Sequence, residues 1–186
     1  MYSKARIAGH PVHPMLIAFP IALYTATVAA LLAYLGTTDL FYYRAAMVAN
    51  IVGVGSAIVA AIPGTIDLFS LPRGSSARVA AVKHGSFALL ATGLFSVSAA
   101  LMWRAWNDRT VADGGYLLDA TIPLAIAIVG ILTLVIVGTL GWSLVQTHHI
   151  GVKTTDISAP PRNEFQDLAT EAFRPPAGPE IHRYRH

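Results

Sequence analysis

Four stretches of the chain, residues 15–35, 45–66, 85–103 and 120–145, contain no Asp, Glu, Lys or Arg. Each reaches or approaches the roughly 20 residues that an α-helix needs to cross a bilayer. None alternates apolar with polar positions as a barrel strand does, and only helices or closed barrels satisfy the backbone in lipid. The pattern predicts four spanning helices. Tight connectors make consecutive helices antiparallel. The expected fold class is all-α: a four-transmembrane-helix antiparallel bundle with a polar C-terminal tail. Residues 1–14 form a lead-in, 15–150 the membrane domain and 151–186 the tail.

Punctuation along the runs adds detail. Pro14 suits a first helical turn, where its missing N–H would have no partner. Pro20 lies inside a helix, frees the Leu16 carbonyl and predicts a bend. Residues 36–43 read as the connector between helices one and two. Gly53, Ala57, Ala60 and Gly64 put small side chains along helix two, which lets another backbone come close. That helix ends in Pro63-Gly64-Thr65-Ile66-Asp67, before a polar connector with Arg73, Gly74, Ser75, Ser76 and Arg78. Helix three is expected from near Val79 to Trp103–Arg104. A polar loop with Asp108, Arg109, Asp113, Gly114 and Gly115 follows. Helix four is expected from about Asp119 to Gln146.

Composition and charge agree with a membrane protein. Only 12% of residues are charged, against about 25% in a soluble domain. Basic residues flank the apolar runs and so report orientation rather than nucleic-acid binding. Lys4, Arg6, Arg73, Arg78, Lys83 and Lys153 fall on one side, and Arg44, Arg104 and Arg109 on the other. That asymmetry puts both termini in the cytoplasm. Lys4 and Arg6 also precede the first run as in a signal peptide, but the run is too long for a signal core and reads as a retained helix. Phe41, Tyr42, Tyr43, Trp103, Trp106 and Tyr116 predict an aromatic belt at the opposite interface. In the tail, Phe165, Leu168, Ala169, Ala172 and Phe173 recur at helical spacing between Pro161 and Pro175. This short amphipathic segment is expected to lie on the membrane, or to dock a partner through residues 160–186.

The histidines are segregated. In the four-helix threading, His10, His13, His84, His148 and His149 reach one membrane face together with Asp67, and the other face has none. Ionisable groups at membrane depth mark function, and neutral imidazole is a metal ligand. Asp67 ends a helix, where the dipole disfavours a carboxylate, so it needs a cation, a metal or a hydrogen-bond donor. Taken singly, each residue also has an ordinary role, as a helix cap, an interfacial anchor or an ion-pair partner. With no cysteine, thiolate iron–sulfur ligation and thioether-linked haem are excluded. No Gly-x-Ser-x-Gly turn, phosphate loop, dinucleotide fingerprint or His-Glu-x-x-His motif is present, so the chain is not expected to be an enzyme on its own.

The stretches 9–21 (Gly-His-Pro-Val-His-Pro-Met-Leu-Ile-Ala-Phe-Pro-Ile), 63–67 (Pro-Gly-Thr-Ile-Asp) and 141–152 (Gly-Trp-Ser-Leu-Val-Gln-Thr-His-His-Ile-Gly-Val), with His84, resemble the bacterial membrane proteins grouped as domain of unknown function 2231. The resemblance carries over His10, His13, Asp67, His84 and His148; His149 stands where the family tends to have a small residue. It implies a multi-pass protein of the bacterial inner membrane. Fusion of some members to Rieske-type domains implies redox company, here from a separate electron partner or a larger complex. The leading expectation is a b-type haem held by His84 with His13 or His148, two imidazoles from facing helices taking the axial positions. His10 and Asp67 would orient ligands or haem propionates. The alternatives are a zinc, copper or iron site on His13, His84 and His148, or a cofactor-free accessory subunit.

Overall fold

The computed structural model describes residues 5–8, 10–109 and 118–150. They belong to one compact unit, Met1–Lys153. The expected tail segment at 161–175, His182, His186, Lys4, Lys153, Tyr116 and the loop residues Asp113, Gly114 and Gly115 lie outside the described residues.

Two short strands, β1 (Arg6–Ile7) and β2 (His10–Pro11), pair antiparallel ahead of the bundle. The helices follow: α1 (Val12–Leu16), α2 (Ala18–Thr37), α3 (Leu40–Ser70), α4 (Ser76–Asn107) and α5 (Thr121–Gln146). Helices α1 and α2 form one span of 26 residues, interrupted at Ile17. The interruption has a simple origin. Pro20 has no N–H for the Leu16 carbonyl, so regular bonding lapses where α1 ends. Helices α3, α4 and α5 supply the other three spans.

The helices are longer than their charge-free runs. Helix α3 begins before Arg44 and passes through Asp67, and α4 starts at Ser76 rather than near Val79. A charge ends an apolar run, but a cap ends a helix. Asp39 accepts the Phe41 N–H at 2.8 Å and Ser75 accepts the Arg78 N–H at 3.2 Å, each satisfying a donor of a first turn. The connector between α2 and α3 shrinks to Thr38 and Asp39, with Thr38 in the left-handed region at φ 57°.

Around the bundle, α2 packs most closely on α3 and α4 on α5, and the two hairpins meet through α3–α4 and α2–α5. Leu31, Tyr34, Tyr43, Met47, Met102, Leu118 and Leu124 form a cluster at the end remote from the histidines. There the Tyr34 hydroxyl donates to the Leu118 carbonyl at 3.0 Å and accepts the Leu118 N–H at 2.8 Å. The outer surface is apolar. Leu89, 75% exposed, is typical of the Leu, Ile and Val side chains that cover it, a surface suited to lipid and not to water. The expected aromatic belt is only partly on that surface. Phe41 and Trp103 are exposed, whereas Tyr43 is fully buried and stacks with Trp106.

Candidate functional site: a paired imidazole site

His13 is the second residue of α1, where the chain has just turned out of the β1–β2 ladder. Asp67 governs that entry. Its Oδ1 accepts the Ala5 N–H at 3.1 Å, and the Ala5 carbonyl accepts the Val12 N–H at 3.0 Å. The carboxylate at the end of α3 thus finds the donor it needs, and it ties the lead-in to the helix it must meet.

His13 Nδ1 lies 2.8 Å from the Ala60 carbonyl of α3. Pro63 sits three residues further on and disturbs the turn that contains this carbonyl. Gly64 completes the seat: a Cβ there would stand 3.0 Å from both Cε1 and Nδ1 of His13. His84, in the third turn of α4, is held in the same manner. Its Nδ1 lies 3.1 Å from the Val137 carbonyl of α5, and a Cβ on Gly141 would stand 3.2 Å from its Cε1.

The two rings meet across the bundle, with centroids 6.3 Å apart and planes at 89°. A carbonyl oxygen only accepts, so Nδ1 carries a proton in each ring, and in the neutral form of the ring Nε2 keeps its lone pair. An imidazole whose other nitrogen donates to a carbonyl has the support usual for a metal-ligating histidine. Two imidazoles on opposite sides of one metal, at metal–nitrogen bonds of about 2.0 Å, place their centroids roughly 6 Å apart.

The other sequence candidates do not join this pair. His10, in β2, is exposed and its Nδ1 contacts the Ala8 carbonyl at 3.0 Å. His148 is half-buried beyond the end of α5, and no hydrogen bond or ring contact among the described residues connects it to His13 or His84. His149 is exposed, in the left-handed region at φ 49°. Among the described residues no group of three or more His, Cys, Asp and Glu is placed to hold a metal ion. Among the described residues, two imidazoles meet, not a cluster.

Sequence reasoning missed the seats. Two of the small residues of α3 admit aromatic rings, and at Gly53 α2 also comes close, its Leu23 Cβ lying 3.3 Å from where a Cβ would stand. Gly64 faces the His13 ring, and a Cβ on Gly53 would stand 2.9 Å from Tyr24. The only sequence signals were Gly64 directly after Pro63, and Gly141 within the last spanning run.

No curated protein and no solved structure matches the chain. Residues 9–154, which include α1 to α5 and the paired His13 and His84, match the family described as Predicted membrane protein (DUF2231). The chain belongs to that family of predicted membrane proteins.

Proposed function

We propose that this protein holds a b-type haem between His13 and His84 and passes electrons within the bacterial inner membrane. The observation that carries the reading is the meeting of two half-buried rings, centroids 6.3 Å apart, each with Nδ1 committed to a helix carbonyl. The donor set favours haem over a bare ion. A structural zinc site takes four ligands and a catalytic one three from the protein, whereas His13 and His84 stand without a third donor among the described residues. A haem would need only two ligands from the protein, which His13 and His84 would supply. When bound, such a haem supplies one-electron redox chemistry. The chain's part is to hold both rings in one tautomer, and Asp67 fixes the lead-in from which His13 extends. The imidazole-bearing face is cytoplasmic on the charge asymmetry of its helix ends, and the electron partner is a separate redox protein or a larger complex.

The test is an absorption spectrum of protein purified from cells supplied with haem. The wild type is expected to show a Soret band and a reduced-minus-oxidised difference spectrum of a bis-imidazole haem. His13→Ala and His84→Ala each lose that spectrum, while His148→Ala retains it. A wild-type protein with no Soret band in either redox state overturns the proposal. Stoichiometric metal without porphyrin would turn it into the non-haem alternative.

A further inference from the structure

The two halves of the bundle repeat each other at constant spacing. In the first helix of each hairpin, His13 corresponds to His84, Tyr24 to Phe95 and Thr27 to Ser98, each 71 residues later. In the second helix, Ala46 corresponds to Pro123, Gly53 to Gly130, Ala60 to Val137 and Gly64 to Gly141, each 77 residues later. The contacts repeat with the residues. His13 to the Ala60 carbonyl is matched by His84 to the Val137 carbonyl. A Cβ on Gly53 would meet Tyr24 at 2.9 Å, and one on Gly130 would meet Phe95 at 2.6 Å. Thr27 Oγ1 lies 3.5 Å from the Ala46 carbonyl, and Ser98 Oγ lies 3.0 Å from that of Pro123.

Two pairs then join a residue to its own counterpart. His13 meets His84, and Tyr24 stacks on Phe95 with centroids 3.7 Å apart. In a two-fold arrangement, a residue that touches its own equivalent lies on the axis. The two pairs come in the same order along both spans, so α2 and α4 run in the same direction and that axis follows the helices, as in parallel membrane repeats.

We propose that the bundle is one helical hairpin used twice about an approximate two-fold axis, and that Ala60–Gly64 and Val137–Gly141 are matched seats holding His13 and His84 as Nδ1–H tautomers on that axis. A group bound there, such as a haem, would meet two equivalent nitrogens. This last point rests on the reading under Proposed function, but the seats themselves do not. The repeats differ around the seats: Pro63 is matched by Leu140, Asp67 by Leu144, and the lead-in by the first turns of α4. Only the first copy carries a bent entry that Asp67 must tie down.

Nitrogen-15 NMR of histidine-labelled, metal-free protein in detergent tests the seats without any bound group. In the wild type, both rings are expected with Nδ1 protonated and Nε2 bare. Gly64→Ala should shift the His13 signals alone and Gly141→Ala the His84 signals alone. Gly53→Ala and Gly130→Ala, which crowd the aromatic pair, should leave both tautomers unchanged. The proposal is overturned if either wild-type ring is protonated at Nε2, a result that needs no variant to fold. It is equally overturned if one seat variant shifts its ring and the other does not. The absence of a Soret band, by contrast, would remove the haem reading and leave these signals as expected.

Discussion

The two ends of the bundle are built from different materials. At the end remote from the histidines, Leu31, Tyr34, Tyr43 and Met102 are large and fully buried. On the histidine side of the Tyr24–Phe95 stack, the buried positions of the spans are Pro20, Ala60, Pro63, Ala91 and Thr133, and the rings there are the half-buried His13 and His84. In lipid, helices associate through packing and hydrogen bonds, since water does not drive them together. The remote end supplies that packing, together with the bonds between Tyr34 and Leu118. The histidine end contributes little bulk and is free to be shaped around a site. The bulky packing and the candidate site thus lie at opposite ends of the same four spans.

That division predicts graded effects. Phe95→Ala should have the largest, because it empties the stack that closes the remote core. A loss of about 3 kcal/mol is expected, read as a lower midpoint in a detergent-denaturation titration, and a variant as stable as the wild type would contradict the division. Tyr34→Phe comes next. It strips both hydrogen bonds from the buried Leu118 backbone and should cost about 2 kcal/mol, with the nitrogen-15 signals of His13 and His84 unmoved. If those signals shift, the two ends are coupled and the comparison fails.

How far the sequence announces this depends on the kind of interaction. The four spans follow from absent charges, which act on every residue of a run at once. The helix ends do not, because caps such as Asp39 and Ser75 act through one hydrogen bond each and lie outside the apolar runs. Antiparallel threading brings five histidines to one face, yet it carries no information on rotation about each helix axis. Rotation decides that His84 turns inward to His13 while His148, beyond the last helical turn, does not join them. The seats were hidden for another reason: a backbone carbonyl has no side-chain signature, so Ala60 and Val137 look like any other apolar position. Only Gly64 and Gly141 leave a trace, as absent side chains. The repeat was equally obscure, because helices pair by shape and His, Gly and small hydroxyl positions are few among interchangeable apolar residues.

The smallest effect belongs to the border between the two ends. Tyr24 is 1% exposed, and its hydroxyl makes no hydrogen bond among the described residues. Thr92 lies nearby; its hydroxyl donates to the Ala88 carbonyl at 2.9 Å and keeps its acceptor lone pairs. A tyrosine on a helix leans toward the helix N-terminus, which in α2 is the histidine end. Its counterpart Phe95 stacks on it without a hydroxyl. An unpaired buried hydroxyl is costly, and removing it is neutral or favourable. Tyr24→Phe should therefore raise the denaturation midpoint of the metal-free protein slightly, by about 1 kcal/mol, while preserving the stack. A fall in stability would show that the hydroxyl has a partner in the metal-free protein, such as Thr92, and that the border is drawn in the wrong place. A gain without the bound group that turns into a loss with it would assign the hydroxyl to the site, extending the histidine end down to Tyr24.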